Sequence, residues 1–436
     1  MYRNHIQRLP GDTHSIIPLS SPLPRQTRFF SRCPMTTTQQ AFLAILRASL
    51  HQEEATPALT ADQWPELFRL AESHKVLPMI FEAVFPQVRQ ADPALAMSAK
   101  AQVRNRVILQ TMRTAEFLEL FQALTDAGAS PLVVKGIVCR QLYPKPDHRP
   151  SSDEDILIPP EEFALCHSVM TRLGLRTTEA DPDKVYEVPY RRPNSPLYIE
   201  LHKHLFPPES GAYGDLNRFF ADAAQRTVEL TVQGHRIRTL GHTDHLLYLL
   251  LHAYKHFLHS GFGIRQICDI LLFAREYHAQ IDWEWVRLSC RSIRAERFAA
   301  AVFAIGVRYL GFDPVEPWDA IDVDELPLLE DVLSAGIYGS AGEHRLHSSA
   351  ITLEAVSAQN QGKAPRSGLA AAAFPAAASL EGRYPWLKER PWLLPAAWGS
   401  RILSYLLEPR TPGGSTAALK LGAERRALLK QYGILE

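Results

Sequence analysis

From Ala41 to Gly128 apolar residues recur every three to four positions. Phe42, Ile45, Leu46 and Leu50 share one helical face, and Val103, Val107, Phe117, Phe121 and Leu124 continue the spacing, so an all-helical region is predicted with Gly128 as its stop. At Pro131 the texture changes. A short apolar run from Pro131 ends at Gly136, a helix is predicted from Ile137 to Tyr143, and a Pro-rich loop follows through Arg149 and Pro150. A second run, Asp155 to Ile158, stops at Pro159 and Pro160, which open a helix over Glu161 to Leu173. Lys184 to Tyr190 and Leu197 to Leu205 read as two more strands, the second carrying Tyr198, Glu200, His202 and His204 on one face by alternation. The helical period returns from Thr243 to about Leu310, with Asp282 to Trp285 opening a later helix.

Strand, helix, strand, helix at the centre with helices on both sides predicts a mixed α/β (α+β) protein. The chain of 436 residues is divided into an extension at 1–34, an N-terminal helical region at 35–130, a sheet core at 131–240 and a C-terminal helical domain at 241–354. A stretch at 355–383 rich in Ala, Gly, Ser and Pro reads as a flexible linker, and 384–436 as a closing aromatic and apolar segment. In that segment Trp386, Trp392 and Trp398 accompany Lys388, Arg390 and Arg401, but Pro385, Pro391 and Pro395 interrupt any continuous amphipathic helix, so a core-capping role is expected over a membrane-surface anchor.

Charge adds an exclusion. Lys plus Arg equals Asp plus Glu at 47 each, so no global positive field argues for duplex DNA as a partner. The five cysteines are scattered without CxxC spacing, which points to a reducing cytoplasm, and no apolar run is long enough for a transmembrane helix. Residues 1–34 hold five arginines against Asp12 alone. The prolines Pro10, Pro18, Pro22 and Pro24 break a transit-type helix, so a disordered extension is expected, with Met35 as a candidate true start.

The candidate chemistry sits where the loop after Pro150 enters a strand. Alternation places Asp153 and Asp155 on one side and Glu154 on the other. Paired carboxylates repel unless a cation lies between them, and a hard divalent ion is the usual answer. Antiparallel pairing of the strand that holds Glu200 would bring a third acidic group to the same edge, an arrangement suited to nucleotidyl transfer. On this expectation Asp153, Asp155 and Glu200 are the catalytic and metal-binding residues.

Lys135-Gly136, Leu142 to Pro144, Arg149, the Asp153 and Asp155 pair followed by Leu157-Ile158, and Glu200 to His202 together resemble the uncharacterised bacterial nucleotidyltransferase family of the DNA polymerase beta-like superfamily, in order and in spacing. The similarity extends into His252, Lys255-His256, Arg265, Asp269, Asp282-Trp283, Phe374-Pro375 and Trp392 to Pro395. The resemblance implies a minimal nucleotidyltransferase sheet, Mg²⁺ (or Mn²⁺), a nucleoside triphosphate donor such as ATP, and transfer of a nucleoside monophosphate to a hydroxyl acceptor that is a small molecule, a protein or RNA. A catalytically silent nucleotide-binding or partner-binding protein on the same fold is the alternative. Two residues depart from better-studied members: Lys135-Gly136 stands where they carry Gly-Ser, and Glu154 where the middle residue is apolar.

Lys135, Gly136 and Arg149 are expected to position the triphosphate, Lys135 as a point charge and Arg149 through its planar fork. For Arg149 a structural ion pair with Asp153 or a neighbour is the competing reading. His202 is expected to orient Glu200 or touch substrate rather than join a transition-metal cluster with His204. On the helix after Thr243, His245, His252, Lys255, His256 and His259 fall on one stripe. His252, Lys255 and His256 are taken as a cationic face toward phosphate, His245 and His259 as solvated residues. Arg265 and Asp269, four apart, are expected to pair with each other.

Overall fold

Helix α1 (Thr37–His51) starts where it does because Thr36 and Gln39 form a reciprocal capping box, and it buries Phe42, Leu43, Ile45, Leu46 and Leu50 on one face. The structure is a computed structural model that describes residues 35–259, 261–335, 352–362, 380, 384–387, 390–407 and 414–436. The extension expected at 1–34 lies outside the described residues, as does most of the linker expected at 355–383. Of that linker stretch, 355–360 belongs to a helical segment at 352–360, and Leu380 is buried.

After α1 come α2 (Gln63–Ser73), α3 (Leu77–Ala91) and α4 (Pro93–Asp126). The last is 34 residues long, opened by the Asp92 cap and Pro93 and ended near Gly128. The expected N-terminal helical region is present.

The sheet has six strands in the order β3-β4-β2-β1-β6-β5. β1 (Leu132–Val134) is fully buried and leads through Lys135 into the short helix α5 (Gly136–Arg140), which stops before the expected Tyr143. β2 (Glu154–Leu157) runs antiparallel to β1, with Val134 opposite Asp155, and is followed by α6 (Phe163–Arg172). β3 (Glu187–Arg191) and β4 (Tyr198–His202) are antiparallel to each other. β4 ends at His202, so His204 leaves the strand and is exposed.

Two features correct the sequence reading. β4 pairs with β2 in parallel, not antiparallel, in a register that sets Asp155 beside Glu200 and Leu157 beside His202. The connection through α6 and β3 returns β4 in the direction of β2, as a crossover permits. A further hairpin, β5 (Thr227–Val232) and β6 (His235–Leu240), completes the sheet. It turns through Gln233 and Gly234, both at positive φ, and lays β6 parallel to β1.

The C-terminal helices close over this core. α7 (His242–Leu258) packs on β6 and is buried almost all round. α8 (Ile264–Glu276), α9 (Trp283–Ser292), α10 (Glu296–Leu310) and α11 (Leu326–Ala335) follow, and α10 meets α1, where His51 Nε2 lies 2.8 Å from the Leu310 carbonyl. Further on are α12 (Leu394–Leu407) and α13 (Gly414–Gln431). Leu380, Leu387 and Ala397 form a small buried cluster joined by Tyr384, Leu394 and Trp398, while Trp392 is 71% exposed. Lys388 and the Arg401 side chain lie outside the described residues.

Candidate active site

Three neighbouring features converge: the turn after β1, the start of β2, and β4. Parallel registry puts Asp155 and Glu200 side by side on one face, and alternation adds His202 to that face. His202 Nε2 lies 3.1 Å from Asp155 Oδ1 and 3.8 Å from Glu200 Oε2. The ligand atoms of Asp155, Glu200 and His202 all fall within 4.8 Å of one another. The set brought together therefore differs from the expected one: His202 is in it, while Asp153, one residue before the strand, stays outside it and has no hydrogen-bond or ion-pair partner among the described residues.

Lys135 reaches the same carboxylate from the other side, its Nζ 2.9 Å from Asp155 Oδ2 and 3.4 Å from His252 Nε2. Burial alone would favour a neutral Lys135, but Asp155, ahead of Tyr248, Asp153 and Glu200, holds its pKa well above the ordinary lysine value. Burial likewise opposes ionisation of Asp155, and the Lys135 charge with the His202 hydrogen bond outweighs it, so its carboxyl titrates well below the usual carboxylate range. At Glu200 the Lys135 charge is outweighed. Burial first, then Asp155, Asp153 and Glu187, push it up to about 9, and Asp153 is raised by burial and by Asp155. Four acidic groups thus face one firmly charged lysine, and the site favours additional positive charge.

A strained turn aims Lys135. The residue sits at φ 63°, ψ −121° and Gly136 at φ 25°. His245, from α7, accepts the Lys135 backbone N–H at Nε2 (3.0 Å). A backbone amide only donates, so the ring proton is on Nδ1, which donates to Thr239 Oγ1 (3.1 Å), and that hydroxyl donates to the Val133 carbonyl (2.6 Å). His245 is thus a buried clamp, not a solvated stripe residue. Burial pulls it down to about 3 and keeps it neutral.

Glu154, the residue that departs from the superfamily pattern, faces away from Asp155. Its Oε2 accepts the Ile137 N–H (2.9 Å) at the first turn of α5, and its Oε1 accepts from Arg140 (2.7 Å) and Ser151 (2.9 Å). An apolar residue would leave Arg140, 0% exposed, with an unpaired buried charge. Glycine at 136 is required by the same contact, because a Cβ there would lie 2.1 Å from Glu154 Oε2.

Arg149 takes the structural position of its two readings. It is 2% exposed and forms a fork on Asp269 (2.7 and 2.6 Å), which also accepts from Tyr143 (2.8 Å). Arg265 consequently does not pair with Asp269 as expected, and its guanidinium donates to the Pro150 carbonyl. These bonds hold the loop before Asp153 against α8.

On α7 the stripe faces the site. His252 reaches Lys135, and His256 Nε2 lies 3.0 Å from His252 Nε2. Burial, with neighbouring Lys255 and Lys135, holds His256 down to about 3, so it supplies no charge at neutral pH. Lys255 is itself lowered by burial, against the pull of Glu187. Glu187 and Tyr248, beside the cluster, escaped the sequence reading. Glu187 lies within the strand expected at Lys184 to Tyr190, which was given no role, and Tyr248 sits among the leucines of α7.

Comparison with known proteins adds the following. A family described as uncharacterised nucleotidyltransferase matches residues 60–311, more than half of the chain. The crystal structure of an antigenic nucleotidyltransferase-like protein from Paracoccidioides brasiliensis is similar over 54% of this chain and 96% of that one, at 14% identity and a TM-score of 0.30. No curated protein matches. Among the described residues no helix is long and apolar enough to cross a membrane.

Proposed function

The chain belongs to the uncharacterised nucleotidyltransferase family, and from that premise we propose that it transfers a nucleoside monophosphate from a nucleoside triphosphate to a hydroxyl acceptor, releasing pyrophosphate. The observation that carries the reading is the convergence of Asp155, Glu200 and His202 beside a buried, charged Lys135. The donor set fits a divalent cation: two carboxylates and an imidazole converge, and the buried Asp155 Oδ2 has an ion-pair neighbour but no aligned hydrogen bond. Such an ion, when bound, supplies charge neutralisation on the triphosphate and a lower pKa for the acceptor hydroxyl.

The chain's own residues supply the rest. Lys135 is a fixed cation for phosphate oxygens, aimed by the His245 clamp, and Lys255 is a second cation on the α7 side. Asp153, with no hydrogen-bond or ion-pair partner among the described residues, is available to complete the cation's coordination or to take the acceptor proton. Arg149 is assigned to holding the loop.

A thermal-shift panel with ATP, CTP, GTP and UTP, with and without Mg²⁺ or Mn²⁺, tests the reading. One triphosphate should raise the unfolding midpoint only with metal, and Asp153→Asn combined with Asp155→Asn should abolish the shift. A folded protein that shifts with none of the four points instead to a silent scaffold.

A further inference from the structure

We propose that the site binds one first-row divalent cation through the imidazole of His202, together with Asp155 and Glu200, and that Glu187 is the residue that orients this ring. The proposal rests on the nucleotidyl-transfer reading of the same residues and specifies the cation it uses.

Asp155 is divided between two neighbours. Its Oδ2 is engaged by Lys135 at 2.9 Å, while its Oδ1 faces His202 Nε2 at 3.1 Å, and Glu200 Oε2 lies 3.8 Å from that nitrogen. An ion with ligand bonds of about 2.0–2.2 Å holds adjacent donor atoms roughly 3 Å apart, so these three atoms need little movement to share one. On the Oδ2 side the Lys135 ammonium already supplies positive charge, which leaves room for one cation rather than two.

The ring is only 4% exposed, and its second nitrogen, Nδ1, is buried without a hydrogen bond. A buried imidazole nitrogen without a partner is uncommon. Glu187 Oε2 stands 3.7 Å from Nδ1, and the β3–β4 register sets Glu187 directly opposite His202. Cation binding moves the proton that Nε2 donates to Asp155 onto Nδ1, where Glu187 accepts it, and frees the Nε2 lone pair to face the ion between Asp155 and Glu200. Carboxylate, imidazole and metal in line are how proteins fix the tautomer of a ligating histidine. An imidazole among the donors favours first-row ions such as Fe²⁺, Co²⁺ or Zn²⁺ over Mg²⁺, which an all-oxygen set suits, and Mn²⁺ serves as the paramagnetic probe of the site.

The test uses the full chain carrying ¹⁵N-histidine, titrated with Mn²⁺ alone and with each of the four triphosphates, and read by electron spin-echo modulation. The expected result is one bound Mn²⁺ with a ¹⁵N coupling that disappears in His202→Gln, while affinity drops at least tenfold and the far-UV spectrum is unchanged. Glu187→Gln should weaken Mn²⁺ by about 10–100-fold, with Glu187→Asp recovering part of the loss. Bound Mn²⁺ without ¹⁵N coupling, or a coupling that survives His202→Gln, overturns the proposal while leaving metal-dependent transfer standing. Absence of any Mn²⁺ or Mg²⁺ binding, with or without triphosphate, overturns both.

Discussion

Gly136 joins two constraints that no side chain can satisfy together: a positive φ and a Cβ position 2.1 Å from Glu154 Oε2. Glu154 is held at both oxygens and cannot retreat. Gly136→Ala should therefore cost about 3 kcal/mol, measured as a lower urea midpoint at unchanged m-value. A cost below about 1 kcal/mol would mean the turn is softer than described. At this scale strict alternation made Asp155, Glu200 and the outward-turned Glu154 legible in the sequence. It did not reveal what Glu154 turns toward, because Arg140 lies on another element and a pairing across the fold leaves no local signature. Arg149 illustrates the same limit: four residues before an acidic pair, it looks like a phosphate ligand, while its partner Asp269 comes from α8, 120 residues on.

Among the elements, α7 sets the geometry of the turn it never touches in sequence. Removing the His245 acceptor with His245→Leu leaves the Lys135 N–H buried and unpaired, a loss of about 2 kcal/mol that should speed exchange of that amide roughly 30-fold. Hydrogen exchange at Lys135 unchanged in the variant would remove His245 from the role of clamp. The stripe of histidines was visible from the spacing, but polar character suggested solvent for His245, and only packing of α7 on β6 places it inside. The strands tell a similar story. β1, β2 and β4 were apparent from their apolar runs, whereas the β5–β6 hairpin was not, since Gln233-Gly234 lacks the Asn-Gly or Asp-Gly signal and, of six β5 positions, three are only half-buried and two are exposed. Pairing direction was beyond reach too. Antiparallel and parallel neighbours both bring Glu200 to Asp155, and the choice is made by the route of the chain through β3.

For the molecule as a whole, buried neutral histidines set its response to acid. His74 and His245 are both 0% exposed, and burial lowers them to about 4 and about 3. Below pH 6.5 the unfolded chain takes up protons that the folded one refuses, so their contribution is full above 6.5 and is lost as pH falls toward 4. Each adds a slope of up to about 1.4 kcal/mol per pH unit in that window. Urea unfolding between pH 7 and 4 should show this decline, and His74→Asn should flatten it. A stability that stays level to pH 4 would contradict the assignment. The contact between His51 and the Leu310 carbonyl, across 259 residues, bears on how the protein is made. At about 5–20 residues per second of translation, α1 leaves the ribosome roughly 13–50 s before the helix it docks on exists. Its buried face, Phe42, Ile45 and Leu46, must wait out that interval against α2 and α3 or under the cover of a chaperone.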